Sequence, residues 1–152
     1  MDISDFDSPN VPAGKAFLEA ELEPILIDKA PVPLPEDFKE GFVKYYPYLV
    51  IIGVIFGVLG ILAAFPLIVI AAAVGGFGVI QGGVGLLLLF ASTVLGVLAL
   101  PGLFKQQRSG WVFSYYGQLI GILGNLISLN IIGIIICVLW FYILFQVKNR
   151  YL

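Results

Sequence analysis

From Tyr45 to Phe104 the chain carries no charged side chain. A single helix of that length would reach about 90 Å at 1.5 Å per residue, three times the roughly 30 Å of a bilayer's hydrocarbon core. A second uncharged run covers Ser109 to Val147. Soluble domains place charge on about a quarter of their residues. Here the fraction is 12%, with 60% hydrophobic residues and a mean hydropathy of +1.03. The pattern predicts a chain that crosses a membrane several times.

The first run must fold back on itself. Gly75–Gly85 is rich in glycine and holds Gln81, which places a turn there. Pro66 marks a kink or the end of the first helix proper; residues 67–74 then continue it or form a short interfacial or re-entrant piece. The second run divides near Asn125–Asn130 (NLISLN), and the turn is short enough to make an antiparallel hairpin. The expected fold is an all-α membrane protein. Its four transmembrane helices lie at about 45–66 or 45–73, 84–104, 111–128 and 130–147, as a bundle over 45–152 behind a tail of residues 1–44.

That tail is acidic. Residues 1–44 hold every carboxylate of the chain, ten in all, and four lysines, a net −6; the rest holds Lys105, Arg108, Lys148 and Arg150 only. Positive residues near span ends favour the cytoplasmic side. Four spans put Lys39, Lys44, Lys105, Arg108, Lys148 and Arg150 together on that side, with both termini cytoplasmic, whereas five would split them. The aromatic residues Tyr45, Tyr46, Tyr48, Phe104, Trp111, Phe113, Tyr115, Tyr116, Trp140, Phe141, Tyr142 and Tyr151 gather at the same interface.

The beginning of the chain lacks the basic and apolar regions of a signal peptide. Residues 1–12 are polar and predicted disordered. Residues 13–23 form a short helix with Phe17, Leu18 and Leu22 on one side. Pro24, Pro31, Pro33 and Pro35 break the chain, with Ala30–Pro35 extended. A helix restarts at Pro35, with Glu36 and Asp37 at its positive end. Phe38, Phe42 and Tyr46 recur every four residues, as in an amphipathic segment at the membrane surface. The clusters Glu19, Glu21, Glu23 and Glu36, Asp37, Glu40 are expected to be solvated faces.

Each span carries small residues three or four apart: Gly53, Gly57, Gly60 and Ala64; Gly85, Ser92, Gly96 and Ala99; Ser114, Gly117, Gly121, Gly124 and Ser128; Gly133 and Cys137. Such residues share one helix face and let backbones approach closely in lipid. They hold the four helices to one another or dock a partner; the candidate interface residues are Gly53, Gly57, Gly60, Gly96, Gly117, Gly121 and Gly124. Gln118 and Asn125 lie beside the third stripe and are placed to hydrogen-bond across helices.

The missing residues exclude much chemistry. From Gly41 to Leu152 there is no aspartate, glutamate or histidine, so a proton-coupled pump has no carrier. There is no histidine anywhere and one cysteine, Cys137, expected to be a small packing residue. Haem, zinc, iron–sulfur and triad chemistry lack their groups. No catalytic residue, cofactor or metal is expected. The loop Lys105–Arg108 (KQQR) is too small for nucleic acid; it is able to touch anionic lipid headgroups, but orienting the chain in the membrane is explanation enough.

Leu100–Trp111 (LPGLFKQQRSGW), Ser128–Ile134 (SLNIIGI) and Tyr142–Tyr151 (YILFQVKNRY) resemble a group of small uncharacterised bacterial four-helix membrane proteins. The resemblance covers about residues 35–152. It implies four spans in a bacterial inner membrane and supplies no active residues. Such proteins are sometimes described as chromate transporters; the larger arrangement of true chromate transporters is absent here. The expected function is that of a non-catalytic accessory or structural subunit packing against other membrane protein subunits, in a respiratory or photosynthetic complex by abundance alone. The alternative is a small oligomeric transporter or channel for a neutral solute, with Gln118, Asn125, Ser128, Asn130, Ser92 and Thr93 lining a polar path.

Overall fold

The computed structural model describes residues 16–28, 32–75 and 78–151, and all their regular elements are helical. Five α-helices follow in order: α1 (Glu19–Glu23), α2 (Glu36–Val74), α3 (Gly78–Phe104), α4 (Arg108–Ile127) and α5 (Ile131–Gln146). Two of them, α2 and α3, are long and apolar enough to cross a membrane, and α5 is a shorter apolar helix.

Helix α2 begins where expected, after Pro35, with Glu36 and Asp37 in its first turn. It then runs unbroken through Pro47 and Pro66 to Val74, so Pro66 does not end it. The segment Phe38–Tyr46 is continuous with it and is not a separate surface piece. Phe42 and Tyr46 are buried, stacked 4.9 Å apart and tilted against Trp140 of α5.

The glycine-rich turn is shorter than the sequence predicts. The chain leaves α2 at Gly75, whose φ of 69° suits a residue without a Cβ, and is helical again from Gly78. Helix α3 thus starts about six residues before position 84. Helix α4 starts at Arg108 rather than 111, and α5 spans 131–146. The α4–α5 turn falls at Ser128–Asn130, inside the predicted NLISLN stretch.

The tail departs furthest from expectation. Residues 1–15 lie outside the described residues, as do 29–31. Beyond them, Pro24 does not stop the chain. Its missing N–H leaves one backbone bond unmade, and α1 widens into a single π turn, Pro24–Asp28. Residues 33–35 form no regular element, and Pro35 has the polyproline-like backbone expected of it (φ −55°, ψ 146°).

Helix α3 packs on α2 and α4, and α4 packs on α5. The fully buried side chains cluster where α3 ends, α4 begins and α5 ends. Trp111 sits at their centre, with Tyr115, Phe145, Leu103 and Leu144 around it. Its indole N–H donates to the Leu144 carbonyl (2.8 Å), and its ring stacks on Tyr115 at 5.2 Å and meets Phe145 edge-on at 5.5 Å.

Candidate functional site

The three glycine stripes converge on one cavity. Its volume is about 590 Å³, and α2, α3 and α4 supply most of its wall. Gly53, Gly57, Gly60, Gly96, Gly117 and Gly121 all line it, and so does Gln118. Gly124 and Asn125, the other two candidates from the sequence, lie elsewhere.

At some of these positions the stripes pull helices together. A Cβ on Gly57 would collide with the Thr93 hydroxyl, and one on Gly96 would sit 3.0 Å from a Val54 methyl, so α2 and α3 meet there. Gly117 and Gly124 face Leu95 and Leu88 of α3 at ordinary contact distance, and Gly121 faces the Cys137 sulfur of α5 at 3.7 Å. Gly53 differs: a Cβ there would meet nothing within 4 Å. The cavity is the space left beside it. The exposed Ile52 and Phe56 stand at its edge.

One end of this cavity is polar. The Tyr46 hydroxyl is turned toward Ser114 and Gln118. Ser114 is buried, at 6% exposure, and its hydroxyl completes no well-formed hydrogen bond. Further along, the Ser92 and Thr93 hydroxyls both donate to the Leu89 carbonyl of their own helix, at 3.0 and 2.7 Å.

Only half of the predicted polar path comes together: Gln118, Ser92 and Thr93 line this cavity, and Asn125, Ser128 and Asn130 do not. Asn125 and Asn130 close the α4–α5 hairpin instead. The Asn125 amide donates to the Gly121 carbonyl (2.8 Å) and accepts from the Asn130 amide (3.1 Å). Asn130 caps α5 by accepting from the Gly133 N–H at 3.0 Å. Gln81 donates to the Ile127 carbonyl at the end of α4 (3.0 Å). Ser128 is the C-cap of α4.

The other concentration of polar groups is a latch that the sequence did not predict. Glu19 is fully buried, not solvated. It pairs with Arg108 and with Lys148 (2.6 Å), and it accepts from the Ala16 N–H (2.6 Å). Burial alone would push its carboxyl up. The hydrogen bonds from Arg108, Lys148 and Ala16 outweigh that and bring its pKa down to about 2. Lys148 also pairs with Glu23 at 2.8 Å. The Arg108 guanidinium carbon sits over the Trp111 ring, 4.4 Å from its centre. Backbone bonds add to the seal: the Tyr115 hydroxyl donates to the Phe17 carbonyl (2.5 Å), and the Phe17 N–H donates to the Tyr116 hydroxyl (3.1 Å). Further on, the Tyr142 hydroxyl donates to the Val32 carbonyl (2.8 Å), and the Leu34 N–H donates to the Gln146 side chain (2.8 Å). Arg150 meets Glu36 and Glu40.

Among the described residues no three histidine, cysteine or carboxylate side chains gather as metal ligands would. The chain matches no protein-family model, no curated protein and no solved structure.

Proposed function

We propose that this is a non-catalytic membrane protein in which α2, α3, α4 and α5 cross a bacterial inner membrane, with both ends of the chain cytoplasmic, and that it serves as an accessory or structural subunit of a larger membrane assembly. The observation that carries the membrane reading is the segregation of charge. The acidic tail, Lys148 and Arg108 meet one another at one end. Away from that end large apolar side chains stand exposed, among them Phe56, Leu62, Leu67, Leu87, Ile132 and Ile135. Water tolerates no apolar surface of that extent on a monomer, while lipid or a partner helix covers it readily.

The accessory role is supported by what the polar groups are doing. The ion pairs seal the tail, and the asparagines close a hairpin. Gly83 and Gly85 are small positions on α3 with open space before them, which suits the close approach of a further helix. Affinity purification in mild detergent tests this. Copurifying membrane subunits at fixed ratio are expected, and a monodisperse particle of this chain alone would sink the idea.

A second reading, a small oligomeric transporter for a neutral solute, draws on the meeting of Gln118, Ser92 and Thr93 at one cavity. Flux in proteoliposomes abolished by Gln118→Leu would favour it.

A further inference from the structure

The cavity has features that helix packing does not require. It follows α2 from Tyr46 to Gly60, about 21 Å at 1.5 Å per residue. At about 590 Å³ it falls in the range of small-molecule sites, 300–1,000 Å³, and is too small for a transmembrane helix. Its walls are apolar along most of their length, and no charged side chain lines it. The polar groups collect at the Tyr46 end: that residue's hydroxyl, the side chain of Gln118 and the buried Ser114 hydroxyl that lacks a well-formed bond. A hydroxyl can donate once and accept twice, so Ser114, with only the Tyr46 hydroxyl turned toward it, keeps hydrogen-bonding capacity at the cavity wall. Trp140 stands at the same end.

We infer that this cavity is a lipid-chain site: it takes the long apolar chain of a neutral membrane amphiphile, whose hydroxyl or carbonyl head hydrogen-bonds to Ser114, Tyr46 and Gln118. Each part of the cavity selects one part of that molecule. The glycines make a slot without side chains, narrow enough for a chain. Hydroxyl and amide groups both donate and accept, so they suit a head with oxygens but no charge. A carboxylate or phosphate head would be buried there without a cation to pair it, which is costly. The exposed edge at Ile52 and Phe56 lets the chain enter sideways from the bilayer. The inference rests on the membrane reading above, and its test separates the two.

The test uses the tryptophan at the polar end. Full-length protein in mild detergent is titrated with a monoglyceride whose acyl chain is brominated near the head, and Trp140 fluorescence is followed. Trp140→Phe identifies its share of the signal. Quenching is expected to saturate at about one probe per chain. Gly53→Leu fills the slot where a Cβ meets nothing, so the fold tolerates it; the half-saturating probe concentration is expected to rise at least tenfold. Ser114→Ala is expected to raise it several-fold, and the same brominated chain as a free fatty acid at pH 8 is expected to bind at least tenfold more weakly. Unsaturable quenching, or equal quenching in wild type and Gly53→Leu, would mean only a lipid annulus and would overturn the site. A protein that stays in solution without detergent would overturn the membrane reading itself.

Discussion

The two ends of the helical bundle are built by different rules. At the charged end, where α3 turns into α4, the packing is that of a soluble protein: Trp111, Tyr115, Phe145 and Leu103 are fully buried, and Glu19 is paired twice over. At the other end, where α2 meets α3 and α4 meets α5, Val74, Leu129, Ile131 and Ile132 are each at least 70% exposed. Even the turns differ. Between α3 and α4 the chain reverses over Gly102 and Gly110, whose backbones touch so closely that a Cβ on either would strike the other strand of the turn. Between α4 and α5 the reversal is held by amide side chains, Asn125 and Asn130. The difference teaches that one chain can be held together in two ways. At the charged end aromatic packing and ion pairs hold the helices. At the far end, where large apolar side chains stand exposed, an amide pair holds the turn.

The comparison breaks most easily at the tight turn. Gly110→Val is expected to cost more than about 3 kcal/mol, because backbone atoms cannot swing aside as a side chain can. Gly83→Ala, with nothing within 4 Å, is expected to stay within about 0.5 kcal/mol of wild type. Thermal unfolding in detergent measures both, and similar losses would mean the two ends are not distinct.

Next in size is Trp111→Ala, expected to cost about 3–5 kcal/mol as a cavity opens in the aromatic core and the Leu144 carbonyl loses its donor. Ile135→Ala, on the exposed face of α5, is expected to cost well under 1 kcal/mol. A comparable loss at Ile135 would place that face inside an interface that survives purification.

The latch sharpens the contrast further. Glu19→Gln weakens charge-assisted bonds worth about 1.5–3 kcal/mol, and the effect is expected locally, as faster amide exchange in residues 16–28 with little change in global unfolding. The same bonds give a pH dependence. The Glu19 pKa is lower in the folded state, about 2 against 4.5. The latch is therefore fully effective above about pH 4.5 and loses its contribution as pH falls toward 2. Amide exchange of the tail that is flat from pH 6 to 3 in wild type, after correction for intrinsic rates, would contradict the pairing.

The smallest effect belongs to the far hairpin. Asn125→Leu is expected to cost about 1 kcal/mol or less, in line with interhelical hydrogen bonds in lipid. A loss of several kcal/mol would show the hairpin to be as dry and rigid as the charged end.

The helices were legible because hydropathy and charge mark them directly. The α4–α5 turn fell within NLISLN, and Glu36 and Asp37 announced the start of α2. The glycine stripes pointed to the cavity, since Gly53, Gly57, Gly60, Gly96, Gly117 and Gly121 all reach it. Their spacing gave only a shared face per helix, not whether facing stripes close or stay apart. Asn125 looked like part of a polar path because its spacing from Gln118 matches a helical face. The turn at Ser128–Asn130 instead brings Asn130 back within 3.1 Å of it. Glu19 was illegible for a different reason. Its partners lie far along the chain, and a carboxylate's burial depends on cations that only the assembled fold delivers. Gly102 and Gly110 had a readable signal, glycines flanking a short basic loop in PGLFKQQRSG, but they fall outside the stripes of spaced small residues.

The latch also imposes an order in time. Glu23 precedes Lys148 by 125 residues, so at roughly 5–20 residues per second the ribosome makes the first about 6–25 s before the second. Until then the tail can meet Arg108, Tyr115 and Tyr116 but not the lysine that pairs with both Glu19 and Glu23. Full closure of the tail over Arg108 and Lys148 thus follows the synthesis of α5.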